Sequence, residues 1–90
     1  MGVEQKAREI VRARQHAYAS PSINFRRIAL MWEAILGVPI TPQQVALMLL
    51  ALKISREVHR HSEDNLIDMV GYVICLEDII LNEVQREQSG

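Results

Sequence analysis

The 90-residue chain has one cysteine, Cys75. No disulfide framework can form within it, and a reducing compartment is the natural reading. Aromatic residues are scarce, at 4% against 49% apolar residues overall. The core must therefore be aliphatic, built from Leu, Ile, Val, Ala and the four Met. Neither sign of charge dominates: ten Lys and Arg face eleven Asp and Glu, for a net −1. A general nucleic-acid binder needs a cationic surface to displace counterions, so this balance argues against one. Long apolar runs are also missing. The longest, residues 45–52, falls far short of the ~20 residues that span a bilayer. The N-terminus MGVEQKAREIV is charged and lacks the apolar stretch of a secretory signal. Lys6 stands where a myristoylation motif wants Ser or Thr. These absences point to a soluble cytoplasmic protein with no membrane association.

What is present reads as one all-α domain over residues 1–90. It resembles a four-helix bundle, with the third and fourth helices an antiparallel hairpin. The first helix covers about residues 3–18, where Val3, Ala7, Ile10, Val11, Ala17 and Tyr18 recur at helical spacing. The turn cluster Ser20-Pro21-Ser22 ends it. Asn24 is a good N-cap for a second helix to Leu36, with Gly37 as C′ residue and Pro39 preventing continuation. Thr41, Pro42 and Gln44 form the strongest helix start in the chain, a capping box with proline at the first helical position. Ser62 caps the fourth helix, which runs to about Gln85, and residues 85–90 form a polar, frayed tail. The third helix is apolar on every side over residues 45–52, and the fourth nearly so over residues 66–81. Each has two faces to bury, so a homo-oligomer is expected to complete the bundle.

Charged residues converge where the third helix hands over to the fourth. A short turn makes these helices antiparallel neighbours, so Glu57 can approach Asp64 and Asp68. Carboxylates one helical turn apart repel unless a cation sits between them. Asp and Glu oxygens are the ligands that Mg²⁺ prefers, and Mg²⁺ commonly bridges to phosphates. Glu57, Asp64 and Asp68 are thus candidate metal ligands and catalytic residues, with Lys53 and Arg56 available to phosphate oxygens. The competing reading is a buried salt-bridge network in which Asp68 pairs with Lys53 or Arg56. The two differ in the expected effect of Asp68→Asn: relief of carboxylate repulsion in the first, an unpaired cation in the second. The crowding of three carboxylates and three cations around one turn favours the first. Trp32 and Phe25 fit the core of the second helix, with Trp32 stacking on a base as the alternative. Cys75 reads as a small buried side chain, and His59 and His61 as solvated turn residues. A helix-turn-helix at residues 37–41 is disfavoured, because the helix after it opens with an apolar run that cannot face a groove.

Ordered motifs carry a resemblance. They are Tyr18-x-Ser20-Pro21-x-x-Asn24-Phe25-x-Arg27-Ile28-Ala29-x-x-Trp32, Ile40-Thr41-Pro42-x-x-Val45-Ala46, Lys53-Ile54-x-Arg56-Glu57 and Asp64-Asn65-x-x-Asp68-x-x-Gly71-Tyr72. Over about residues 12–80 the chain resembles a family of short phage- and prophage-encoded helical proteins of unassigned function. More distantly it resembles the MazG-type nucleotide pyrophosphohydrolases. That resemblance implies carboxylates on adjacent helices holding Mg²⁺ against a nucleoside triphosphate. Tyr72 and Trp32 are further candidate ligand contacts. The acidic pattern departs from MazG: Arg60 takes the second acidic position on the third helix, and Asp64 and Asp68 are spaced one residue wider. Two functions follow as expectations. One is a nucleotide-binding protein, with Mg²⁺-dependent hydrolysis through Glu57, Asp64 and Asp68. The other is a non-catalytic oligomer that binds a host-defence nucleotide signal or a host protein.

Overall fold

The computed structural model describes residues 2–17 and 19–89, with side chains through residue 87. Four helices follow one another: α1 (Val3–Ala17), α2 (Pro21–Leu36), α3 (Pro42–His59) and α4 (Glu63–Ser89). No strand occurs among the described residues. The expected all-α class therefore holds. Tyr18, expected to end the first helix and to open the first motif, lies outside the described residues, as does Gly90.

Two boundaries differ from expectation. α2 starts at Pro21 with Ser20 as N-cap, a turn before Asn24. Proline at the first helical position lacks an N–H that would be unsatisfied there anyway, so the Ser-Pro pair starts this helix. Arg26 and Arg27 consequently sit in the second turn, where the end dipole has largely faded. α4 continues to Ser89, beyond the expected Gln85.

The other ends follow their local chemistry. Gly37 closes α2 in the left-handed region at φ 73°, and its N–H donates to the Glu33 carbonyl. Glu33 Oε1 also accepts from the Ile40 N–H at 2.9 Å, which ties down the α2–α3 connection. The Thr41 hydroxyl accepts from Gln44 N at 3.1 Å, and Gln44 Oε1 accepts from Thr41 N at 2.9 Å. The capping box read from the sequence is thus formed. Removing its hydroxyl in Thr41→Ala should cost about 1 kcal/mol, read as a lower urea midpoint with an unchanged slope.

α4 is the element on which the others pack. The contacts Gln43–Glu83, Lys53–Asp68 and Glu57–Asn65 have rising numbers on one helix and falling numbers on the other. That is the antiparallel hairpin. α1 runs the other way. Lys6 Nζ meets Glu63 at 2.6 Å, and Val11 lies against Gly71, so α1 lies parallel to the first half of α4. α2 begins beside Asp78, whose Oδ2 accepts from the Ser22 hydroxyl at 3.3 Å. Val11, Phe25, Ala29, Val45, Ala46, Cys75 and Ile79 form the core, with Trp32 and Tyr72 packed against it. Gly71, Cys75 and Asp78 on α4 therefore face α1 and α2.

The run 45–52 is not surrounded in the single chain. Val45 and Ala46 are buried, while Leu47, Met48 and Leu52 are exposed. One chain supplies too few helices to cover both faces of α3.

Candidate functional site

Of the carboxylates expected to converge at the α3–α4 turn, Glu57 and Asp68 have separate partners and Asp64 is exposed. Glu57 ends the third helix's polar face and turns back on the loop. It accepts hydrogen bonds from the Ser62 backbone N–H at 3.0 Å and from the Asn65 amide at 3.2 Å, and it pairs with the His61 imidazole. The His61 contact, then the Ser62 N–H, hold the Glu57 carboxyl below its ordinary value. Asn65, buried, also donates to the Arg60 carbonyl at 3.3 Å. Glu57 thus acts as an anchor for the turn. Ser62 caps α4 by accepting from the Asp64 N–H at 3.2 Å, and the Asp64 side chain is exposed.

Asp68 is held by another partner. Its Oδ2 lies 2.8 Å from Lys53 Nζ, with the Lys53 side chain 15% exposed and that of Asp68 38%. The pairing alternative raised from the sequence is the arrangement found, with Lys53 as partner. Glu57, Asp64 and Asp68 are not gathered around one point. Among the described residues, no group of three or more His, Cys, Asp or Glu side chains is arranged to hold a metal ion. Arg56 is exposed beside the turn and does not line the cavity between α1, α2 and α4. Trp32 is half-buried against the core and does not line it either.

That cavity, of about 80 Å³, opens between α1, the start of α2 and α4. Its walls are apolar: Ala7, Val11, Phe25, Ile67 and Cys75, all buried. Its polar lining comes from Arg14, Gln15, Asn24, Asp68 and Tyr72, with the exposed Ile10 beside them. Of the residues singled out in the sequence, Asp68 and Tyr72 reach it, and Lys53 stands behind Asp68. Arg14, Gln15 and Asn24 were missed. A signal existed for Arg14: steps of four and three from Ala7 through Val11 put it on the buried side of α1. Gly71 lines the cavity as well, and a Cβ there would meet only Val11 Cγ2 at 3.8 Å. Burial first, then the Asp78 carboxylate, pushes the Cys75 thiol up to about 11, with the Arg14 guanidinium pulling the other way. The thiol stays protonated at neutral pH and is packing, not a nucleophile.

Comparison with known proteins places this helical chain. Residues 3–80 match the family described as Domain of unknown function (DUF6378). The chain belongs to this family. DUF6378 relatives include the Gene 55 protein of Mycobacterium phage L5, 36% identical over 93 residues that take in 100% of this chain and 60% of the relative. The Gene 55 protein of Mycobacterium phage D29 is 33% identical over 86 residues, or 94% of this chain and 57% of that protein. The chain thus spans about three-fifths of the length of these curated relatives. No solved structure matches it. The phage half of the sequence resemblance is supported by these relatives. Among the described residues, no helix is long and apolar enough to cross a membrane.

Proposed function

We propose that this DUF6378 protein is a non-catalytic, self-associating helical binding protein. One observation carries the reading: the outward faces of α3 and α4 are apolar and uncovered. Leu47, Ile54 and Val58 are exposed on α3 at steps of seven and four, which keeps them on one side of the helix. Val73, Ile80 and Val84 repeat that spacing on α4. The chain exposes 6455 Å², where a folded monomer of 10.3 kDa exposes about 5,400 Å². The excess, about 1,000 Å², resembles the roughly 800 Å² that each partner gives up in a standard interface. The radius of gyration, 14.0 Å, likewise exceeds the about 12 Å of a compact domain this long. A second copy is the occupant that matches an apolar helical face with another, through one self-complementary patch.

The engaged carboxylates support binding over hydrolysis. Glu57 is spent on the turn and Asp68 on Lys53. Light scattering at micromolar concentration should give a dimer or larger. Leu47→Glu combined with Ile54→Glu should return a helical 10.3 kDa particle. A wild-type particle of that mass would overturn the reading. Pyrophosphate released from nucleoside triphosphates with Mg²⁺ or Mn²⁺ would overturn its non-catalytic part. A phosphorylated nucleotide, the ligand implied by the family resemblance, is the first to screen by thermal shift. Stabilisation without metal fits a binding role.

A further inference from the structure

The geometry points to the α1–α2–α4 cavity as a binding site for a small organic anion, with one apolar ring inside and its carboxylate or phosphate at Arg14. The walls decide the ring. The buried Val11, Phe25, Ile67 and Cys75 present carbon and a protonated sulfur. The space is about 80 Å³. A water needs roughly 10–15 Å³ of such space, so the cavity takes a group of several heavy atoms, one small ring in size.

The polar lining decides the charge. Arg14 belongs to it as a free cation: among the described residues it has no ion pair. Asp68 also lines the cavity, but its charge is matched by Lys53. Asp78 acts on Cys75 more strongly than Arg14 does, but it accepts from Ser22 and Asn82 and does not line the cavity, which leaves Arg14 as the unpaired charge of the lining among the described residues. Gln15, Asn24 and Tyr72 add donors, and no hydrogen bond ties these side chains to another described residue. An apolar pocket with a few convergent polar groups is the usual form of a small-molecule site. A planar guanidinium grips either oxyanion through paired hydrogen bonds.

This inference does not depend on self-association. Leu47 and Ile54 lie outside the cavity, so either reading can fail alone. The test is an amide NMR titration of the full chain with phenyl phosphate and, separately, benzoate. Inorganic phosphate and benzyl alcohol serve as half-ligands. Saturable shifts are expected at Val11, Gly71 and Cys75 for at least one ring anion. Whichever anion binds tighter identifies the oxyanion that Arg14 prefers. Each half-ligand should bind at least tenfold more weakly.

Arg14→Gln, an exposed change that leaves the fold intact, should weaken the ring anion at least tenfold. Gly71→Ala adds a methyl at ordinary contact distance from Val11. It should fold at least as well, since alanine is the better helix former, and should weaken the ring anion severalfold by filling space. Four outcomes would overturn the assignment: no saturable binding by either ring anion, shifts outside the cavity, undiminished affinity in Arg14→Gln, or inorganic phosphate binding as tightly as phenyl phosphate.

Discussion

Ile79→Ala should lower the unfolding free energy by about 2–5 kcal/mol, a larger loss than any truncation on the outer faces of the helices would cause. Ile79 is 2% exposed and packs with Val11, Phe25, Ala29 and Val45, where residues from all four helices meet. Truncation removes three carbons from this point and leaves a void that the surrounding helices can only partly close. Domains of this kind have about 5–15 kcal/mol in total, so the variant will be partly unfolded at physiological temperature. A urea melt at fixed protein concentration checks it, because the proposed self-association would make the midpoint depend on concentration. Val58→Ala is the control. Val58 is 82% exposed in the single chain, so its loss should leave monomer stability nearly unchanged. A drop as large as that of Ile79→Ala, in a monomeric background, would contradict the burial pattern.

Much of the fold was legible because local chemistry specifies it. Thr41, Pro42 and Gln44 encode a helix start that needs no tertiary information, and the structure forms that box as read. Gly37 encodes a stop in the same way. Asn24 misled because it is a good cap in isolation, whereas Ser20 with Pro21 starts the helix a turn earlier. The apolar run 45–52 showed that α3 has two faces to bury. It could not show which face the single chain covers.

The site was harder to read. Opposite charges on neighbouring helices admit several pairings, and the sequence offered both Lys53 and Arg56 to Asp68. Only the helix register selects Lys53. The cavity depends on α1 running parallel to α4, and no residue near Arg14 announces that. The sequence was better at naming residues that face inward than at choosing their partners.

That choice of partner sets the sign of the remaining prediction. If Glu57, Asp64 and Asp68 surrounded an empty metal position, Asp68→Asn would relieve repulsion and raise stability. Asp68 instead faces the Lys53 ammonium at 2.8 Å, and the Lys53 side chain is 15% exposed. Loss of the carboxylate charge leaves a largely buried cation with only a neutral amide opposite it. A fully buried pair broken on one side costs about 3–5 kcal/mol. An exposed pair is worth about 0–1 kcal/mol. The Asp68 side chain, 38% exposed, lets water reach the vacated position, so a loss of about 1–3 kcal/mol is expected between those limits. Lys53→Met should cost less, because the half-exposed carboxylate it strands can be hydrated. Combining Lys53→Met with Asp68→Leu should recover part of the loss, since an apolar pair can replace a buried ionic one. Urea melts of Lys53→Met, Asp68→Leu and their combination in metal-free buffer close the cycle and isolate the pairwise energy, and a melt of Asp68→Asn tests the sign. An Asp68→Asn midpoint at or above wild type would mean that Lys53 does not need this carboxylate, and the expected carboxylate site would return as the better account of the α3–α4 turn.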